Sequence, residues 1–166
     1  MAGRITIGDL RPDHWPEVAR IYADGIAAGN ATFETAVPRW EQWDAVHLDE
    51  HRFVALDEEE RVVGWVAVSP VSERCVYGGV VENSVYVAAS VRGHGVGGLL
   101  LERLVTSTEA AGVWTIQTGI FPENEASVRV HERAGFEIVG RRKRLGKLNG
   151  VWRDVLLLER RSDVVE

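Results

Sequence analysis

Between Arg92 and Gly98 the chain reads Arg-Gly-His-Gly-Val-Gly-Gly, four glycines within six residues, between a strand-like apolar run and a helical pattern. Glycine lets backbone N–H groups close in on a ligand and take positive φ, and a helix N-terminus favours an anion. The chemistry on offer is therefore phosphate binding. The letters Gly93-His94-Gly95-Val96-Gly97-Gly98 match G-x-G-x-x-G, but a dinucleotide site calls for an acidic residue about twenty positions on, at the end of the next strand. Thr118-Gly119-Ile120 stands there instead. Strands and helices also precede the motif, whereas a dinucleotide fold usually opens with it. A P-loop fails because no Gly-Lys-Ser/Thr follows, and a ligand-free tight turn needs fewer glycines.

Two further places could move protons. Glu82 stands near the start of an apolar run, where a carboxylate either accepts a proton or is a solvated strand end. Asn124, Ser127 and His131 recur at spacings of three and four, so one helical face can carry all three. Asn124 also suits a helix N-cap, and a lone helical histidine is usually a surface or satisfied core group. His47-Leu48-Asp49-Glu50-His51 matches H-x-x-E-H, a zinc-peptidase pattern, but Arg52 at once begins a strand and no third ligand stands out. No metal is expected. Arg141-Arg142-Lys143-Arg144 could meet a phosphate or an acidic partner, or be a solvated strand end.

The elements that must position these groups follow from spacing. Ile5 and Ile7 within Gly3 to Gly8 give a first strand with one buried face. Asp13 can cap a helix with Pro16 in its first turn, with Trp15, Val18, Ala19, Tyr22 and Ile26 on one face, ended by Gly29-Asn30. A shorter helix follows Pro38, with Trp40 and Trp43 either core or partner surface. Arg52–Leu56 and Arg61–Val68 flank the acidic turn 57–60 as a hairpin. Val80–Ala88 is a strand, a helix runs from about Val96 to Ala111 before Gly112, and Val113–Ile120 is the next strand. A helix from about Asn124 to Ala134 ends at Gly135, and Phe136–Val139 pairs with Val151–Leu158. The order is βααβββαβαββ, a mixed sheet with helices on its faces.

The whole chain narrows the partners. Its 166 residues, 45% hydrophobic and 27% charged, suit a single domain over 1–166. A net charge of -6 disfavours nucleic acid and anionic membrane surfaces as partners. The single cysteine, Cys75, excludes an internal disulfide and a cysteine metal tetrad. No apolar run nears the ~20 residues of a membrane span, and the first residues lack a signal peptide's apolar core, so the expected location is cytoplasmic.

Arg92-Gly93-His94-Gly95-Val96-Gly97 fits Arg/Gln-x-x-Gly-x-Gly/Ala, the acetyl-CoA signature of the GNAT superfamily of N-acetyltransferases. Asn30-Ala31-Thr32-Phe33-Glu34-Thr35, Val81-Glu82-Asn83-Ser84-Val85-Tyr86-Val87, Asn124-Glu125-Ala126-Ser127 and His131-Glu132-Arg133-Ala134-Gly135-Phe136 resemble the phosphinothricin and methionine-sulfoximine acetyltransferase family. The resemblance runs from about Ile5 to Glu159. It implies an α/β (α+β) GNAT acyl-CoA N-acyltransferase fold, with a mixed, mostly antiparallel sheet and helices on both faces.

The resemblance further implies that Val85, Tyr86 and Val87 supply backbone contacts to the pantetheine arm where two strands splay. Arg92, Gly93, His94, Gly95, Val96, Gly97 and Gly98 would hold the pyrophosphate, with Asn124 and Ser127 also on the cofactor side. Glu82 aligns with a general base and His131 with a general acid or orienting group. Phe33 and Glu34 border the acceptor, Arg74 would pair with an amino-acid carboxylate, and Cys75 lies beside it without acting as a nucleophile. Cys75-Val76-Tyr77-Gly78-Gly79 departs from a family segment richer in proline and basic residues, which leaves the acceptor open. The implied activity is acetyl transfer from acetyl-CoA to the α-amino group of a small amino acid, in a homodimer whose seam Trp40 and Trp43 would line. Another small amine, a peptide N-terminus, or a non-catalytic acyl-CoA sensor are the competing readings.

Overall fold

Burial on both faces explains why the central strand reads as an unbroken apolar run. The computed structural model describes residues 3–166, so the expectations for Met1 and Ala2 lie outside the described residues. Among the described residues seven strands and four α-helices follow one another as β1 (Thr6–Asp9), α1 (Trp15–Ala28), α2 (Trp40–Val46), β2 (Phe53–Leu56), β3 (Val62–Pro70), β4 (Val80–Val87), α3 (Val96–Ala110), β5 (Thr115–Ile120), α4 (Glu125–Arg133), β6 (Glu137–Leu148) and β7 (Val151–Arg161). They form one sheet in the order β1-β2-β3-β4-β5-β7-β6, antiparallel throughout except for β4 beside β5. The mixed, mostly antiparallel GNAT-type sheet expected from the sequence is the sheet observed.

In β3, Trp65 and Ala67 pack with Val18 and Ile21 of α1 and Trp43 of α2, while Val66 and Val68 pack with Leu100, Leu101 and Leu104 of α3. Each large apolar side chain buried this way contributes about 1.5–3 kcal/mol relative to exposure. Helices therefore cover both faces, α1 and α2 on one and α3 and α4 on the other.

Local signals set most boundaries. Gly29 closes α1 at φ 84°, and Gly112 and Gly135 follow α3 and α4 at φ 81° and 96°. Asp13 does not cap α1: it pairs with Arg11 in a 3₁₀ turn over Pro12–His14, and His14 is the capping position. β3 runs through Ser69 to Pro70 instead of stopping before them. The last hairpin is much longer than its periodicity suggests, so the basic run lies inside β6, with Arg141 paired to Asp154 at 2.8 Å. Trp43 is 1% exposed and packs on Trp15, Trp40 and Trp65. Trp43 thus belongs to the chain's own core, and Trp40 packs half-buried against it.

Candidate active site

The sheet opens at one place. β4 pairs with β5 only over Val80–Glu82 opposite Thr115–Gln117. Past Glu82, β4 stays with β3 as far as Val87, opposite Gly64, while β5 stays with β7 as far as Ile120, opposite Leu156. At the fork the Thr118 hydroxyl donates to the Asn83 carbonyl at 3.4 Å. Ala88 N–H donates to Val63 O on β3 at 2.8 Å, so the backbone groups of Tyr86, two residues back, face β3 as well. Those of Val85 and Val87 face the opening, as an added strand requires. Of the three expected backbone contacts, two present their polar groups to the gap, whereas Tyr86 lends its ring, stacked on Trp65 and Tyr22.

β4 leads straight into the glycine turn. Gly93 and Gly95 both have φ 80°, a backbone only glycine takes without strain, and Gly95 is the capping residue of α3. The amides of Arg92 and His94 already donate to Ala89 O and Val91 O. Those of Val96, Gly97 and Gly98, in the first helical turn, have no acceptor within a helix. No acidic residue stands in that turn, so the positive end of α3 is open to an anion. A groove of about 440 Å³ runs from Gly95 and Gly98 between α3 and α4, past Glu102, Val105, Val130 and Arg133. These residues fit an acyl-CoA, with a strand edge for its amides and a helix start for its phosphates.

Glu82 and His131 lie on opposite faces of β4. Glu82 is exposed and accepts from Gln117 Nε2 at 3.4 Å. Asn83, its neighbour, points to the α4 side and meets His131 there: Asn83 Nδ2 lies 3.2 Å from His131 Nε2. His131 Nδ1 lies 2.7 Å from Ser127 O, and a carbonyl can only accept, so Nδ1 carries the proton. His131 is 1% exposed and edge-on to Phe136, and burial holds its pKa below the usual histidine value. The ring is therefore neutral near pH 7, with Nε2 accepting from Asn83. Asn124 caps α4, its side chain accepting from Ser127 N at 3.3 Å.

The residues expected at the acceptor are spread over two loops. Phe33 and Glu34 lie in the irregular 29–39 segment, where Phe33 meets Phe121 edge-on at 4.9 Å. Arg74 and Cys75 lie exposed in the loop joining β3 to β4, at the end of the ladder where Ser69 faces Glu82. Arg74 stacks over Tyr77 at 5.6 Å, an aromatic partner three residues on that the sequence reading left aside. Asn83 and Gln117 were also missed. Asn83 adjoins Glu82, but its partner lies 48 residues away and only the fold reveals it. His47 and His51 bind no common centre: His47 Nδ1 meets Trp43 O and His51 Nδ1 meets Ser107 Oγ, each at 2.6 Å.

Residues 15–136 match the family model described as Acetyltransferase (GNAT) family. The chain is 37% identical over 108 residues to a phosphinothricin N-acetyltransferase of Streptomyces coelicolor, covering 64% of this chain and 63% of that protein. It is 34% identical over 110 residues to an L-methionine sulfoximine/L-methionine sulfone acetyltransferase of Pseudomonas aeruginosa, covering 66% of this chain and 64% of the relative. The matched segment thus spans just under two thirds of each relative's length. A GNAT superfamily phosphinothricin acetyltransferase from Sinorhizobium meliloti, solved in complex with AcCoA, superposes with a TM-score of 0.85 at 28% identity, covering 95% of this chain and 88% of that one.

Proposed function

This chain belongs to the GNAT acetyltransferase family, and from that premise we propose that it acetylates the α-amino group of a small amino acid, such as L-methionine sulfoximine, L-methionine sulfone or L-phosphinothricin, with acetyl-CoA as donor. The observation that carries this reading is the parting of β4 from β5 after Glu82, with a glycine turn and an open helix start directly downstream. Acetyl-CoA supplies the acetyl group as a thioester. The edge groups of Val85 and Val87 bind its pantetheine amides, and the amides of Val96 to Gly98 hold its pyrophosphate.

Glu82 takes the proton from the substrate ammonium, directly or through one water, so that the free amine can attack the thioester carbonyl. The C–S bond then breaks, and the proton still on the attacking nitrogen goes to the departing CoA thiolate, which leaves as the thiol. Gln117 steadies the carboxylate from the neighbouring strand. His131 acts as an orienting group: its one N–H is engaged by Ser127 O, and Nε2 already accepts from Asn83. Arg74 takes the acceptor's carboxylate, with Phe33, Glu34 and Cys75 around the side chain.

The enzyme works as a homodimer in the cytoplasm. Exposed apolar side chains stand at both ends of the β6–β7 hairpin, Ile138 and Val139 at one and Val151 and Trp152 at the other, and β6 is the sheet edge against which a second copy would pack.

A thiol-release assay with methionine sulfoximine and phosphinothricin, alongside Glu82→Gln, tests the reading. Glu82→Gln lowers kcat by roughly 10²–10⁴ with acetyl-CoA binding intact. Activity undiminished on carboxyl-esterified substrates would move the acceptor to another amine or a peptide N-terminus. Tight acetyl-CoA binding without thiol release across an amine panel would make the protein a sensor.

A further inference from the structure

Arg153, on β7, enters none of the roles above, yet one guanidinium ties three distant segments together. Its side chain is only 13% exposed. Nη1 donates to Gly29 O at 2.9 Å, where α1 ends, and Nη2 donates to Asn30 Oδ1 at 2.7 Å. Nη2 also reaches Glu123 Oε2 at 3.4 Å, just past β5. The plane lies over the Phe121 ring, 4.1 Å from its centre. A planar fork fits this set of partners, and a lysine's single ammonium could not meet them together.

The segment held this way carries Phe33 and Glu34. Phe33 stands edge-on to Phe121, the ring beneath Arg153, and packs beside Leu148 and Val155. On its other side is Gly146 of β6, where an added Cβ would come within 3.1 Å of the Phe33 ring. The Phe33 ring is thus boxed by β6, by Phe121 and, through Phe121, by Arg153. Glu34 N–H donates to Thr32 Oγ1 at 3.0 Å, and the Glu34 carboxylate is near enough to Tyr22 and Tyr86 to help raise both phenol pKa values, after burial as the larger cause. The clasped loop therefore reaches the ring of β4 that lies beside the gap.

We propose that Arg153 is a positioning residue for the acceptor site, clasping the 29–34 segment to the end of β5 so that Phe33 and Glu34 form a fixed wall for the acceptor amino acid. This rests on the acetyltransferase reading above. Arg153 touches nothing in the 92–98 turn, so its effect falls on the acceptor and not on acetyl-CoA.

The test uses the full chain as Arg153→Met, Arg153→Lys and Asn30→Ala, the last removing one partner while keeping the arginine, should its loss prevent folding. Steady-state kinetics with the acceptor and with acetyl-CoA are read together with hydrogen exchange of the amides in 30–35. Arg153→Met raises the acceptor KM by at least roughly tenfold, the scale of a lost charge-assisted hydrogen bond, while the acetyl-CoA KM is unchanged. Arg153→Lys and Asn30→Ala fall between wild type and Arg153→Met, and exchange in 30–35 quickens in the same order. An acceptor KM that stays at the wild-type value, or one that rises in step with the acetyl-CoA KM, overturns the proposal. If the wild-type protein acetylates no amine, the functional reading fails by itself. Exchange then decides the clasp alone: faster in Arg153→Met supports it, and unchanged exchange overturns it.

Discussion

At the scale of single residues, the Asn83–His131 pair constrains how protons can move. Asn83 Oδ1 is buried without a hydrogen-bond partner among the described residues. Neutral His131 accepts from the amide NH2 and leaves Oδ1 unpaired; a protonated ring would need the carboxamide turned over and would leave the NH2 unpaired instead. Neither arrangement satisfies the amide, so it is burial that keeps the ring neutral. Asn83→Leu leaves Nε2 buried with no donor, which costs about 1–3 kcal/mol of stability. If His131 only orients, this variant has a lower kcat with the alkaline limb of the kcat–pH profile at its wild-type position. A limb that moves would give His131 the role of acid.

At the scale of elements, the start of α3 separates stability from binding in a pair of variants. Gly95 sits at φ 80°, so Gly95→Ala forces a left-handed alanine, lowers stability by about 1–2 kcal/mol and weakens acetyl-CoA binding. Gly98 lies inside the helix, and an added Cβ there meets nothing within 4 Å. Gly98→Ala is therefore expected to raise stability by about 0.5–1 kcal/mol and still weaken binding, because the methyl group enters the space a phosphate would fill. Thermal unfolding and titration with acetyl-CoA read both effects; undiminished binding in Gly98→Ala would remove the anion from this turn. The same elements show what the sequence could convey. Glycine punctuation and apolar period located α1, α3, α4 and the β2–β3 hairpin, because those signals are local. The length of β6 was hidden, since nearly all its residues are exposed and carry no buried period. Arg153 and Gly29 are 124 residues apart, and no spacing rule connects them.

At the scale of the whole molecule, three histidines from separate elements act together on stability. His47 stacks on Trp43 at the end of α2, His51 meets Ser107 of α3, and His131 stands on the buried face of α4. In all three, burial is the largest cause of a pKa below the usual value of about 6.5. A folded pKa below the unfolded one means that the unfolded chain binds more protons in the interval between them, so stability falls as pH drops below about 6.5 and keeps falling until the folded pKa is reached. For His131, the most enclosed of them, the loss is up to about 1.4 kcal/mol per pH unit in that window. The carboxylates of Asp57, Asp154 and Glu109 are shifted in the same direction by a different cause: hydrogen bonds hold their pKa values below the ordinary range. Their contribution is present above about pH 4 and disappears only in stronger acid, outside the histidine window. Urea unfolding should therefore show a midpoint that drops between pH 7.5 and 5.5 while the carboxylates remain ionised. The drop should be shallower in a His47→Gln, His51→Gln double variant, which keeps only His131 of these three. A midpoint flat over that range would mean that the histidines protonate in the folded protein as readily as in the unfolded chain. His131 would then carry a proton in the folded site at mildly acidic pH, and the orienting role assigned to it would give way to that of an acid.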